Sequence, residues 1–161
     1  MTSTPPSPTD PEDADAAEAS ALRVLRGAGQ SSASLRRKLE RRGYSEAAAA
    51  EAVRRCAASG YVDDVALAAS VAARHRRAGH GRARVAADLR SRGVADDLID
   101  STVADLTATE EAAALVAAHQ LWDRAGAPET RDQRTRMRVA GALQRRGFAP
   151  ALIVRVMRDL A

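Results

Sequence analysis

Three stretches of the chain repeat one spacing of apolar and polar positions. In Leu35-Arg36-Arg37-Lys38-Leu39-Glu40-Arg41-Arg42-Gly43-Tyr44, two leucines stand four apart, basic residues lead to a glycine, and an apolar residue follows it. The frame returns as Val85, Leu89, Arg92, Gly93 and Val94, and as Val139, Leu143, Arg146, Gly147 and Phe148, at offsets of 50 and 54 residues. A spacing of four marks one face of a short helix. Glycine just past its end adopts a left-handed conformation that a Cβ disfavours, and the next apolar residue folds back on the leucine five positions upstream. The contacts predicted are Leu39 with Tyr44, Leu89 with Val94 and Leu143 with Phe148. Beyond each glycine the apolar frame continues through Ala49 and Val53, Ile99 and Val103, and Ile153 and Met157. Each copy therefore reads as helix, tight glycine turn, helix.

The rest of the chain supplies one further helix ahead of each pair. Residues 1–12, with four prolines and acidic or small polar side chains, are expected to be disordered. Repeat one spans 13–60, repeat two 61–107 and repeat three 108–161, an all-α fold of nine helices in three tandem helix-turn-helix-like triplets. Ser31, Ser45, Asp63 and Asp96 are the expected helix caps, Thr130 with Gln133 has the spacing of a capping box, and Pro150 suits a first turn. The helix over 64–78 is expected to bury Leu67, Val71 and the stem of Arg74.

Composition explains why the units must be stacked. Hydrophobic residues make up 45% of 161 positions, yet only 2% are aromatic and much of the remainder is alanine. Such units bury little area at ~25 cal/mol per Å2, so neighbours must share an interface. Charge is uneven: residues 1–20 carry five acids and no base, so within a formal total of +4 the remainder carries +9. A basic body of this kind expects a polyanion or an acidic protein face. Cys56, the sole cysteine, excludes an intrachain disulfide and reads as a small buried side chain. No apolar run approaches the length of a membrane span, so a soluble, cytoplasmic protein without membrane contact is expected.

Little in the sequence points to catalysis. Asp63 and Asp64 are paired carboxylates beside a basic stretch, but no further acidic set accompanies them, and a helix cap plus a first-turn acid accounts for both. His75, His80 and His119 lack ligand spacing and read as surface residues. With neither a phosphate-cradling lysine loop nor a dinucleotide fingerprint, the protein reads as a non-enzyme with no metal or cofactor. The arginines carry more. Arg36, Arg37, Lys38, Arg41 and Arg42 surround the first Leu-Leu face. Arg74, Arg76, Arg77, Arg82 and Arg84 flank Gly79-His80-Gly81, and Arg131, Arg134, Arg136, Arg138, Arg145 and Arg146 form a third set. Arginine offers a rigid fork of donors to phosphate or carboxylate. The few aromatics sit at packing positions, and no Asn or Gln is placed to read bases, so contact with DNA is expected along the backbone. A general DNA-binding protein and a scaffold for an acidic peptide both fit this pattern.

Taken together, these motifs resemble the RecX family, regulators of the RecA recombinase. The likeness covers about residues 20–160. It rests on Ser31 with Leu35 to Tyr44, on Gly60-Tyr61-Val62-Asp63-Asp64, on Arg74 followed by Gly79-His80-Gly81 and Val85, on Leu89 to Val94, and on Arg145-Arg146-Gly147-Phe148. Gly43, Asp63, Asp64, Gly93 and Gly147 are its structural signature. The resemblance implies an elongated, curved array that lodges in the groove of the RecA filament on DNA, suppresses ATP turnover and strand exchange, and favours disassembly; a monomer is expected.

Overall fold

The computed structural model describes residues 8–27, 29–125 and 132–160, and among them finds nine α-helices and no strand. These are α1 (Ala14–Leu25), α2 (Ser32–Glu40), α3 (Glu46–Ala58), α4 (Asp64–Arg77), α5 (Arg82–Ser91), α6 (Asp96–Asp105), α7 (Thr107–Asp123), α8 (Gln133–Arg145) and α9 (Pro150–Asp159). The chain divides into two compact units, Met1–Leu67 with Ser91–Ala95, and Ala68–Arg90 with Asp96–Ala161.

The first unit is built on small residues. Ala17 and Ala21 of α1 share a core with Ala48, Ala49 and Ala52 of α3, while Leu35, Leu39, Cys56 and Val62 fill the remainder. Alanine at facing positions lets helix axes approach closely, which is how so few aromatics suffice. Cys56 is fully buried, and that burial raises its thiol pKa. Three helices begin at the side-chain caps their sequence provides: Asp13 accepts from the Ala16 amide at 2.9 Å, Ser31 from Ser34 at 3.1 Å, and Ser45 from Ala48 at 3.2 Å. Arg55 ties α1 to α3, reaching Asp15 at 2.6 Å, Glu18 at 3.2 Å and Glu51 at 2.7 Å. Hydrogen bonds from Arg54 and then Arg55 hold the Glu51 carboxyl at a pKa of about 2.

The second unit has the larger side chains. Trp122 of α7, Val139 and Leu143 of α8, and Leu152, Ile153 and Val156 of α9 enclose Phe148, with Ala114, Ala117 and Ala118 completing the cluster. Val71, Val85, Leu89 and Ile99 are buried on α4, α5 and α6.

The glycine turns form as the repeat predicts. Gly43 has φ +97° and Gly147 φ +87°, and the amides of Tyr44 and Phe148 donate to Leu39 and Leu143 carbonyls, each at 3.3 Å. Leu39 and Tyr44 belong to one core cluster, Leu143 and Phe148 to the other. Gly93 is also left-handed, with Leu89 and Val94 each buried.

Four expectations need correction. Asp96 is the first residue of α6 and not its cap, and it faces Arg90 at 3.4 Å. The start of α8 is capped by Asp132, whose carboxylate accepts from the Thr135 amide at 2.8 Å; Thr130 lies outside the described residues. Helix α4 buries His75, not Arg74, because its inward face runs through Ala68, Val71, Ala72 and His75. Of the segment expected to be disordered, residues 1–7 are outside the described residues. Residues 8–12 form a turn in which Pro11 O accepts from the Ser45 amide at 2.9 Å and Glu12 accepts from Ser45 Oγ at 2.8 Å.

Candidate interaction surface

Each unit contains the same joint between one repeat and the next. In the first unit Asp64, the first residue of α4, accepts from the Ser32 amide at the start of α2 at 2.8 Å. The buried Ser31 hydroxyl donates to Arg92 O at 2.6 Å, in the turn that holds Gly93. In the second unit Glu110 of α7 accepts from the Arg82 amide at the start of α5 at 3.0 Å, and from Arg82 Nε at 2.6 Å. There the Gly81 amide donates to Arg146 O at 2.8 Å, and the Ala83 amide to Gly147 O at 3.3 Å. A carboxylate at a helix start satisfies an amide that the helix cannot and lies at the positive end of its dipole. Both aspartates of the Asp63-Asp64 pair are thereby occupied by helix termini, Asp63 accepting from the Ala66 amide of its own helix at 2.9 Å. Among the described residues no group of three or more His, Cys, Asp or Glu side chains is arranged to hold a metal ion.

Gly81 is required by this approach. A Cβ there would run into the Gly147 carbonyl, 2.6 Å from its carbon and 2.7 Å from the Phe148 nitrogen. The docking partner, Gly147, is equally crowded, with Arg84 N 2.6 Å from where its Cβ would stand.

The basic residues now separate into those engaged within the fold and those left facing solvent. In the first unit Arg42 donates to Ser20 Oγ at 2.8 Å, Lys38 to Gln30 Oε1 at 2.6 Å, and Arg36 pairs with Glu40 at 3.4 Å. Arg37 and Arg41 are exposed and make no ion pair among the described residues. In the second unit Arg82 is held by Glu110, Arg84 donates to Arg145 O at 3.4 Å, and Arg138 to Ala125 O at 3.3 Å. Arg136 lies over the Trp122 ring at 5.9 Å. Arg76, Arg77, Arg134 and Arg145 are exposed and Arg146 half-buried, none in an ion pair among the described residues. Arg131 falls outside them.

Two of the predicted basic sets meet. Arg84 from the stretch around the Gly79-His80-Gly81 turn and Arg145 from the end of α8 line one open cavity of about 510 Å3, together with His75, Asp88 and Gly147. A second groove of about 310 Å3 places Arg76 and Arg77 beside Val116 and Gln120 of α7.

At the edge of the larger cavity lies a polar chain that spacing did not reveal. Asp88 accepts from Arg74 at 2.5 Å and faces His75 Nε2 at 2.8 Å, while His75 Nδ1 faces His80 Nδ1 at 2.7 Å. A carboxylate only accepts, so His75 donates to Asp88 through Nε2. Burial first, then the charges of His75, Arg84 and Arg146, lowers the His80 pKa. His75 was expected at the surface and is 8% exposed. The clue in the sequence is its place one helical turn beyond Val71, on the inward face of α4.

Comparison with known proteins accords with this architecture. The family model described as RecX, second three-helix domain, matches residues 63–103, the segment from the cap of α4 into α6. The regulatory protein RecX of Mycobacterium sp. (strain JLS) is 34% identical over 153 residues, 92% of this chain and 84% of that protein. The regulatory protein RecX of Streptomyces coelicolor is 37% identical over 155 residues, 94% of this chain and 80% of that one. A crystal structure of RecX from Lactobacillus salivarius superposes with TM-score 0.78 at 16% identity, covering 92% of this chain and 96% of that chain, and so shares its fold. With a third of its residues identical over nine-tenths of its length, the chain belongs to the RecX family.

Proposed function

We propose that this protein is a non-enzymatic modulator of the RecA recombinase. It lodges in the groove of the RecA–DNA filament, lowers ATP hydrolysis and strand exchange, and favours filament disassembly. Its repeats, 13–60, 61–107 and 108–161, act together in a monomer in the cytoplasm, and its DNA contacts are to the backbone. The observation that supports this reading most directly is the cavity where Arg84 and Arg145 converge, with Arg76 and Arg77, in no ion pair among the described residues, lining the second groove. Guanidinium forks grouped in this way suit the phosphates and carboxylates of a protein–DNA filament.

The test is the RecA ATPase on single-stranded DNA. Equimolar protein should lower the hydrolysis rate, and no change at that ratio rejects the proposal. Reversing Arg76 and Arg77 to Glu should keep the helical circular dichroism and abolish the inhibition. Arg74 is left out of this variant because Asp88 holds it, and a second carboxylate there would strain the His75 chain.

General binding to naked DNA is favoured by the same unneutralised arginines. It predicts tight duplex binding whose log affinity falls with log salt by about 0.9 per phosphate contacted. Weak duplex binding beside strong filament binding decides against it.

A further inference from the structure

The outer face of α8 and α9 carries large exposed apolar side chains where the corresponding positions of the other repeats hold alanine or aspartate. Met137 is 64% exposed and Val154 70% exposed, and with Met157 they line a groove of about 390 Å3 in the second unit. The offset of 54 residues places Ala83 and Asp100 at these two positions in the second repeat, and the offset of 104 places Ala33 and Ala50 in the first. The first repeat also forms the groove, about 460 Å3, with Ala33, Ala50 and Val53 in it. The helix pair of the first repeat therefore closes with alanine at both positions, and the fold does not require Met137 or Val154. Two large exposed side chains over one groove form a patch, unlike a single exposed hydrophobe.

What fits the groove follows from its shape and charge. It runs between two helices, as grooves that receive an amphipathic helix do, and methionine adapts to differently shaped anchors. Arg136 and Arg158 stand at its rim, Arg158 also facing Asp159 at 4.0 Å, and no carboxylate lines the groove itself. Phosphates would gain nothing from the methyl groups of its floor. We propose that the α8/α9 groove docks an acidic amphipathic helix of the protein partner, a segment with apolar residues at helical spacing and flanking carboxylates. The identity of that partner as the RecA filament rests on the function proposed above; the groove's preference for such a helix does not.

The protein contains three methionines, so a 13C-methyl methionine label gives three reporters, two of them in the groove. The full chain is titrated separately with RecA filament on single-stranded DNA, with duplex DNA, and with a short synthetic helix carrying leucines at helical spacing and glutamates between them. The Met137 methyl should shift with filament and with peptide and stay still with duplex. The double variant Met137→Ala, Val154→Asp, which restores the residues of the second repeat, should melt as the wild type does. It should bind filament ~10-fold more weakly or worse and leave duplex affinity unchanged. Filament binding that survives the double variant overturns the groove and spares the proposed function. Wild-type protein that fails to bind filament overturns the function, and the peptide arm then decides the groove: a Met137 shift supports it and silence rejects it. A Met137 shift that depends only on the protein's own concentration makes a second copy the occupant and overturns the proposal.

Discussion

Replacing Gly81 by alanine tests the joint of the second unit directly. The new Cβ would sit 2.6 Å from the Gly147 carbonyl carbon, where ordinary contact begins at 3.4 Å, so the turn must open by about 0.8 Å. Opening weakens the Gly81 amide bond to Arg146 O, 2.8 Å long, at about 1 kcal/mol, and overpacking adds about 1–3 kcal/mol. Alanine stiffens the unfolded chain and returns about 0.4–1 kcal/mol. The net loss expected is about 1–4 kcal/mol, read by urea unfolding with the fluorescence of the single tryptophan, Trp122, which lies in the core of the same unit. Gly79→Ala is the control. Gly79 has φ +67° and its Cβ would meet only the tip of Arg146 at 3.6 Å, so its loss is about 1–2 kcal/mol and purely conformational. Hydrogen exchange separates the two mechanisms: Gly81→Ala should deprotect the amides of residues 81 and 83, and Gly79→Ala should not. A Gly81→Ala protein with wild-type midpoint and protection would refute the docking.

Glu110→Ala should destabilise by about 2–3 kcal/mol, since a carboxylate only 8% exposed holds both the Arg82 amide and its guanidinium; a urea midpoint within error of wild type would contradict that. For His80, the folded pKa lies below the ordinary 6.5, so below that pH the unfolded chain binds more protons than the folded one. Stability should be constant above it and fall as pH drops from 6.5 toward the folded value. His80→Gln should flatten this slope in pH-resolved melting curves, and an unchanged slope would place the titrating group elsewhere.

Much of the architecture was legible because the repeat writes it three times. The apolar pairs four apart, Gly43, Gly93 and Gly147, and the caps Ser31, Ser45 and Asp63 are local signals, each satisfied within a few residues. Asp96 misled because an acid at a helix start is equally at home as cap or as first residue. His75 and Arg74 are neighbours in sequence, and only the packing of α4 decides which of them turns inward. The engagement of Lys38, Arg42 and Arg82 was invisible for a related reason: Gln30, Ser20 and Glu110 lie 8, 22 and 28 residues away. Excess positive charge indicates a partner only after such internal pairs are removed, and Arg76 and Arg77 survive that subtraction where Arg82 does not.

The joints give the glycine motif a second meaning. Gly147 ends its helix in a left-handed turn, which glycine alone adopts freely, and the same turn presents the Arg146 and Gly147 carbonyls to the start of α5. In the first unit Ser31 reaches the Arg92 carbonyl of an equivalent turn through a hydroxyl, where the second unit uses the bare backbone of Gly81. The two solutions differ in reach: a hydroxyl spans a gap that a direct amide contact closes. Ser31→Gly should therefore remove the hydroxyl bond to Arg92 O, whereas Gly81→Ser should clash like Gly81→Ala. A helix start in this protein is thus matched to the turn it docks on, and its residue follows from the spacing of that joint as much as from the needs of its own helix.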